Sequence, residues 1–331
     1  MVERLLAGLL VVPFLLGAAA APAQHGDVVF RFQDPDIIES SALVSADGLV
    51  FTSNDSGDTG RVFAVDPKTG ETVGVTHWED DPTDVESLAP GADDTVWVGD
   101  IGDNFSTRSS VQVAEVPVGR GERTVHPTVY DLAYPDGAHD AETLVRDPAT
   151  GRLYVASKDV LGGTLYELPG HLSASHANQL TPVGSVLPIA TDGAFFPDGK
   201  HLIVRNYTAA AIYAFPSLDR VANLALPAQQ QGEGISVDAD NHVLLGSEGP
   251  HSPVLSFELP RRVRQLVSGL HPTPAPPPSA PPSDTAHPAV RPSGSPVERS
   301  SADRSGYWLL AGLVGVVAIG VIIGSLRRRR S

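Results

Sequence analysis

The sequence predicts an all-β protein folded as a five-bladed β-propeller, and three observations lead to this fold class. One pattern recurs five times: a carboxylate, an apolar stretch, a Gly/Asp turn, and a β-rich strand centred 11 or 12 residues after the carboxylate. Successive copies lie 41 to 56 residues apart, a period typical of one propeller blade per copy. Helical periodicity is nearly absent between the copies. Six blades with one degenerate copy is the main alternative.

Each copy contains the strands that a blade requires. The second strands are centred at Phe51, Trp97, Tyr154, Ile203 and Leu244. A third strand ends close to a proline in every copy, as expected because proline cannot donate a hydrogen bond to the next strand. A looser fourth strand follows in most copies, for example TVGVTHW and TVYDLAY. Two segments compete for the strand that closes the ring, VVFRFQ (28–33) and VRQLVS (263–268), and both remain open.

The two ends of the chain predict export and membrane anchoring. Residues 1–23 resemble a cleaved signal peptide, with Arg4, an apolar stretch and small residues around Ala23. Residues 307–326 carry no charge, and 20 helical residues span ~30 Å, enough to cross a bilayer. The arginines in the tail, residues 327–331, indicate a cytoplasmic C-terminus. We therefore expect a single-pass protein of the cell membrane whose N-terminal domain lies outside.

Between the signal peptide and the anchor, the sequence divides into a body and a stalk. Residues 24–270 are long enough for one propeller, and residues 271–306 are rich in proline, which favours an extended stalk. The chain has no cysteine, so a large core has to stabilise the exported body without disulfides. Residues 24–270 hold 35 Asp and Glu against 15 Lys and Arg, a net charge of −20. This charge argues against nucleic acid as a partner and is compatible with cations or cationic ligands.

One acidic side chain per blade is expected at the mouth of the central channel. The innermost strand of a propeller blade begins on the face where the second strand ends, which brings the repeated carboxylates together. At ~6 Å and an effective dielectric constant of ~20, each pair of carboxylates repels by about 2.8 kcal/mol. Ca²⁺ or another divalent cation would relieve this repulsion. The candidate metal ligands are Glu39, Glu86, Glu142, Asp192 and Glu233. Alternatively, each carboxylate caps an inter-blade turn through backbone N–H groups.

The loops on the same face supply candidate ligand-binding residues. The segment GDIGDN places two carboxylates and an amide in a glycine-rich loop, and a nearby arginine is suited to an anionic group. Isolated cations on this acidic face are suited to a phosphate or carboxylate, and a histidine there to moving a proton. The candidates are Asp55, Asp100, Asp103, Asn104, Arg108, His139, Lys158, Arg205 and Glu248. The alternative for the loops is local turn chemistry, in which Asx side chains bind their own backbone.

The body resembles bacterial exported propellers of the WD40/YVTN/gluconolactonase-like group. The resemblance covers residues 28–260 and depends on the five copies, above all Asp84-Val-Glu86-Ser-Leu with GDIGDN and Asp140-Ala-Glu142-Thr-Leu with LYVASKD. It implies a propeller fold. Gluconolactonase-like members also hold a metal with a few channel carboxylates and hydrolyse lactones, but they usually have six blades rather than five.

Two classes of function follow from the sequence. The stalk, the anchor and the lack of a nucleophile elbow, phosphate loop or HExxH motif favour a ligand-binding or protein-interaction module over an enzyme. Its partner is expected to be an extracellular ligand or protein. The acidic residues and the GDIGDN loop favour the alternative, a metal-dependent extracytoplasmic hydrolase acting on a phosphoester, lactone or glycoside.

Overall fold

The protein is a five-bladed β-propeller in a computed structural model that describes residues 26–79 and 81–268. Each blade is a twisted sheet of four or five strands, as the repeat predicts. The innermost strands contact one another in chain order, and the last contacts the first, which closes the ring. Five sheets account for the described strands, so the six-blade alternative is not needed.

The strand bounds follow the five copies, from the inside of each blade outwards. Blade 1 has β2 (Val44–Ala46), β3 (Leu49–Thr52), β4 (Arg61–Val65), β5 (Thr72–Trp78) and β9 (Gly121–Val125). Blade 2 has β6 (Val85–Pro90), β7 (Thr95–Asp100), β8 (Val111–Pro117), β10 (Val129–Ala133) and β14 (Asn178–Gln179). Blade 3 has β11 (Ala141–Arg146), β12 (Leu153–Ser157), β13 (Thr164–Glu167) and β15 (Thr181–Ser185). Blade 4 has β16 (Asp192–Phe195), β17 (His201–Arg205), β18 (Ala209–Ala214) and β19 (Asp219–Ala225). Blade 5 has β20 (Gly232–Val237), β21 (Val243–Ser247), β22 (Pro253–Phe257) and β1 (Asp27–Arg31).

The N-terminal segment VVFRFQ closes the ring. It supplies β1, which pairs antiparallel with β22 and is the outermost strand of the last blade. The competing segment VRQLVS lies instead in the helix α1 (Arg261–Val267). Val263 and Val267 are four residues apart, share one face of this helix, and pack into the core between blades 4 and 5. The closing strand thus comes from the beginning of the chain.

Two short outer strands were not expected from the sequence. β9 lies in the chain between the third and fourth strands of blade 2, and β14 between those of blade 3. They pair in parallel with the outer strands of the preceding blades, blade 1 and blade 2, respectively. They cover edges that would otherwise expose unpaired backbone groups. The approach is close at Gly74, where a Cβ would lie 2.1 Å from the carbonyl oxygen of Gly119, so β5 needs glycine there.

The predicted signal peptide, the proline-rich stalk, the transmembrane segment and the basic tail lie outside the described residues. Within residues 26–79 and 81–268, no helix is long and apolar enough to cross a membrane.

Candidate ligand site at the channel mouth

Three of the five repeated carboxylates lie at β-bulges where the innermost strands begin. The pairing register shifts at Glu86 between β6 and β7, at Glu142 between β11 and β12, and at Glu233 between β20 and β21. A bulged residue leaves the strict alternation of the strand, which changes the direction of its side chain. The starts of these strands lie beside the ends of the second strands, so the bulges gather at one face.

Asp192 has the same sequence spacing but a different environment. It pairs with Arg205 in a regular ladder, and its side chain is completely buried. Its Oδ1 accepts hydrogen bonds from the backbone N–H of Gly193 (2.8 Å) and from Ser87 Oγ (3.2 Å), and its Oδ2 accepts one from the N–H of Ile235 (2.8 Å). Burial raises the pKa of Asp192, and these donors oppose that shift. This residue fits the structural alternative, because backbone N–H groups occupy both oxygens.

Arg205 is also completely buried. Its Nη1 donates to the carbonyl oxygens of Gly234 (2.9 Å) and Gly246 (3.4 Å), and its Nη2 donates to Gln229 Oε1 (3.1 Å). Burial lowers the pKa of Arg205 to about 10, whereas the negative charge of Asp192 raises it. The guanidinium therefore supports the first and second strands of blade 5 from inside the protein. The hypothesis that Arg205 contacts a phosphate or carboxylate ligand stays a prediction.

Lys158 brings a cation into the mouth. Its ammonium group makes a salt bridge with Glu142 Oε1 and lies 5.6 Å from the centre of the Tyr207 ring, which allows a cation–π interaction. The second oxygen of Glu142 is buried and has no hydrogen-bond partner among the described residues. Burial and the nearby Glu233 raise the pKa of the Tyr207 hydroxyl. The lysine thus partly neutralises a buried group of acids.

Glu233 and Glu248 form a carboxyl pair on the blade 5 side. Their side chains are in hydrogen-bond contact, which requires a proton on one of them. Burial, followed by this contact, raises the pKa of Glu248 from 4.5 to about 10. Glu39 lies nearby in an exposed position, and its pKa is raised by partial burial and then by the charges of Asp55 and Glu233. The acids of blades 5 and 1 therefore act on one another.

Replacing Glu248 with glutamine should stabilise the protein at neutral and alkaline pH. Because the pKa of Glu248 is raised in the folded state, its protonated form stabilises the fold. This contribution is fully present below pH 4.5 and is lost as the pH rises towards about 10. Glutamine cannot ionise, so we expect E248Q to exceed the wild type by about 1–2 kcal/mol, or about 2–8 °C in Tm, at pH 9. Thermal melts from pH 4 to pH 9 measure this. The exposed Glu122→Gln is the control, and a constant difference across pH would contradict the shared proton.

Asp55, Asp84 and Glu86 form a second acidic group, on the blade 1 and blade 2 side. Each offers a carboxylate oxygen within 4.8 Å of those of the other two. Asp55 and Asp84 are in hydrogen-bond contact, and burial followed by the charge of Asp55 raises the pKa of Asp84 to about 7. Burial, Asp55 and then Asp84 raise the pKa of Glu86 to about 9, although Lys158 opposes this.

The GDIGDN loop is held largely by its own contacts. Asp100 accepts hydrogen bonds from the backbone N–H of Thr83 (2.9 Å) and from Arg108 Nη1 (2.7 Å). Asp103 accepts from the N–H groups of Thr107 (2.9 Å) and Arg108 (2.7 Å), an Asx-type turn. Asn104 is exposed at the tip. The structure therefore shows an Asx-type turn at Asp103, whereas Asp100 connects the entry of β6 to Arg108, and ligand binding by this loop stays a prediction.

His139 lies in a separate cluster of aromatic and acidic residues. Its Nε2 is 3.1 Å from Tyr166 Oη and 3.2 Å from Asp136 Oδ1, and its Nδ1 is 3.5 Å from Asp159 Oδ2. The Tyr134 ring packs edge-on at 5.1 Å. These contacts restrict the imidazole, and a role for it in proton transfer stays a prediction.

The acids on this face make up a surface that we call the acidic mouth. Its members are Glu39, Asp55, Asp84, Glu86, Glu142, Glu233 and Glu248. Within the described part of the chain, the salt bridges to these acids are limited to that of Lys158 with Glu142. Sequence reasoning did not select Asp84 or Tyr207. Asp84 could have been found from its position two residues before the repeated carboxylate Glu86. Tyr207 could have been found from its position just after the second strand of blade 4, β17.

Comparisons with known proteins do not identify a family. No protein-family model matches the chain, and no curated protein is significantly similar to it. The propeller fold is therefore the part of the resemblance that is supported.

Proposed function

We propose that the protein is a ligand-binding or protein-interaction module that takes cationic ligands at the acidic mouth and is held outside the cell by a membrane anchor. A β-propeller is a common module of this kind. The supporting observation is the composition of the mouth, where seven carboxylates are gathered around one lysine. Such a surface attracts ammonium and guanidinium groups and divalent cations, and it repels anions.

Besides its negative charge, the acidic mouth provides an aromatic ring and a protonated carboxyl pair that can interact with a cation. The Tyr207 ring already lies against the ammonium group of Lys158, so an aromatic face is placed among the carboxylates. Burial and then the contact with Glu233 raise the pKa of Glu248, so this carboxyl group retains a proton, and a bound cation would favour the release of that proton. Binding of a cationic ligand therefore relieves an electrostatic cost that the free protein carries.

The location proposed for this module depends on the two ends of the sequence. The apolar segments near both ends and the arginines after residue 326 support an N-terminal domain outside and a tail inside. The stalk would then hold the mouth away from the lipid surface. Membrane fractionation, with protease treatment of intact cells, checks this part of the proposal.

Binding of a labelled hexalysine peptide to the purified full chain tests the ligand chemistry. Fluorescence anisotropy at low salt should show saturable binding that weakens as salt is added, because salt screens charge. The double variant Glu233→Gln with Glu248→Gln should weaken binding about tenfold, equivalent to about 1.4 kcal/mol.

The control removes at least as much negative charge from the opposite face, since the Glu233–Glu248 pair holds one proton. Asp47 and Asp240 lie in the turns at the far ends of β2 and β20, away from the mouth, and both are exposed. Changing both to asparagine should leave hexalysine binding unaltered. Equal weakening by the two double variants, or equal binding of a hexaglutamate peptide, would show that the mouth has no specific role.

A further inference from the structure

We propose that Asp55, Asp84 and Glu86 form a site for one hard divalent cation within the acidic mouth. This inference rests on the proposed function, since it assigns a ligand class to one part of that surface. The three residues come from different segments: the loop between β3 and β4, the entry to β6, and the bulge of β6. Their carboxylate oxygens lie within 4.8 Å of one another, a spacing that one cation can bridge.

Asp84 supplies an observation independent of this clustering. It is only 8% exposed, and its Oδ1 is buried without a hydrogen-bond partner among the described residues. A buried carboxylate oxygen without a partner is costly unless a proton or a cation satisfies it. A carboxylate oxygen of Asp84 lies within 4.8 Å of those of Asp55 and Glu86, so this buried carboxyl group belongs to the cluster.

Neighbouring aspartates show what satisfied carboxylates look like on this face. Asp58 accepts a hydrogen bond from Arg61 Nε at 2.8 Å, and Asp100 accepts one from Arg108 Nη1 at 2.7 Å. Both arginines of these loops are therefore engaged outside the cluster. The charge of Lys158 lowers the pKa of Glu86, but the salt bridge of this lysine is with Glu142. The cluster keeps its three carboxylates without a salt bridge from the described residues.

The backbone holds Asp84 in place before any cation arrives. Its N–H donates to Asp100 Oδ1 (3.0 Å), and its carbonyl oxygen accepts from the N–H of Gly102 (3.2 Å). At Gly102 a Cβ would lie 2.3 Å from Asp84 Oδ2 and 2.8 Å from Glu86 Cγ, so only glycine leaves room for both carboxylates. The glycine of the GDIGDN loop thus shapes the cluster.

The donor set decides the class of metal. Three carboxylates and no nitrogen or sulfur ligand suit Ca²⁺, Mg²⁺ or Mn²⁺, with water completing the coordination. A shallow cleft lined by Asp55, Asp84 and residues 56–59 and 82–83 lies beside the cluster. Asp238, Asp240 and His242 form another cluster of possible metal ligands, at the turn after β20. In this cluster Asp238 already accepts hydrogen bonds from His242 and from the N–H of Asp240, so its carboxylate is satisfied without a metal.

Isothermal titration of the chelator-treated full chain with CaCl₂, MgCl₂ and MnCl₂ tests the site. We expect saturable binding of one ion for at least one of these metals. Asp84→Asn should weaken that affinity at least tenfold. Gly102→Ala should weaken it too, because the added methyl group displaces the carboxylates. Asp240→Asn, from the other acidic group, should bind like the wild type.

Folding of the variants is checked without metal. Asp84→Asn removes repulsion, and its NH₂ group can still donate a hydrogen bond to Asp55. In chelator its Tm should therefore equal or exceed that of the wild type, while the rise in Tm on adding the metal should be lost. Wild-type protein that binds none of the three ions, or an Asp84→Asn variant that binds like the wild type, would overturn the site. Hexalysine binding to the metal-free protein separates the two proposals, since it depends on the acidic mouth and not on a bound ion.

Discussion

Replacing Asp192 with alanine is expected to lower the Tm by about 6–20 °C, corresponding to a loss of about 3–5 kcal/mol of folding free energy. The change leaves two buried backbone N–H groups, those of Gly193 and Ile235, without an acceptor. It also removes the negative charge that offsets the burial of Arg205. Thermal or urea unfolding measures the effect.

The size of this effect follows from the place of Asp192 in the ring. Ser87 donates to Asp192 and accepts from the N–H of Leu144 at 2.8 Å, so the carboxylate connects blades 2, 3, 4 and 5. These hydrogen bonds connect the innermost strands of neighbouring blades to one another. Removing the carboxylate therefore disturbs several blades at once.

Two further substitutions sharpen the prediction. Asp192→Asn should destabilise less than alanine, because its Oδ1 still accepts, although its NH₂ group then faces an N–H donor. Glu39→Ala changes an acid at the equivalent repeat position that is exposed, so we expect a change within about 0.5 kcal/mol. Similar losses at Asp192 and Glu39 would contradict the structural role of Asp192.

Replacing Arg205 with methionine should destabilise the protein by a similar amount, about 3–5 kcal/mol. Methionine fills much of the space but removes the guanidinium donors to the carbonyl oxygen of Gly234 and to Gln229 Oε1, while the carbonyl oxygen of Gly246 keeps its hydrogen bond from Gln229 Nε2. It also removes a positive charge that favours the ionised form of Asp192. Arg205→Lys keeps the charge without the planar donor group, so its loss should be intermediate.

A double-mutant cycle distinguishes this role from simple packing. If Asp192 and Arg205 stabilise each other, the combined variant Asp192→Asn with Arg205→Met should lose less stability than the two single losses together. The exposed Arg262→Met is the control and should change little. Full additivity in the cycle would show that the two buried charges do not interact.

The period of the chain was sufficient to predict the blades but not the closing strand. The predicted third strands and the fourth strands TVGVTHW and TVYDLAY are confirmed. These strands were predictable because turn residues and prolines mark where they end. The segments VVFRFQ and VRQLVS are both short and partly apolar, so their local sequence pattern did not show which of them forms the closing strand. The ring decides between them, since β22 needs an outer partner, and the i, i+4 spacing of Val263 and Val267 suits a helix that covers the core.

The site was predicted in part. Asp55, Glu86, Glu142, Glu233 and Glu248 lie in the acidic mouth with Lys158, close to where the sequence placed them. Asp192 and Arg205, expected at the same surface, instead make hydrogen bonds inside the protein. Glu86, Glu142 and Glu233 are also buried, so burial alone does not distinguish the two groups. Asp84, which completes the candidate cation cluster, was overlooked because it lies before the repeat position rather than at it.

The amino-acid pattern alone is enough to predict the period, and with it the five blades, the acidic character of the body and the face at which the innermost strands begin. What each repeated carboxylate does depends on the three-dimensional fold. The reason is register: a β-bulge at Glu86, Glu142 and Glu233 redirects a side chain that the regular ladder at Asp192 keeps between the strands. The five repeat positions therefore hold one buried carboxylate whose two oxygens accept backbone hydrogen bonds, three buried acids of the mouth that lie at bulges, and one exposed carboxylate.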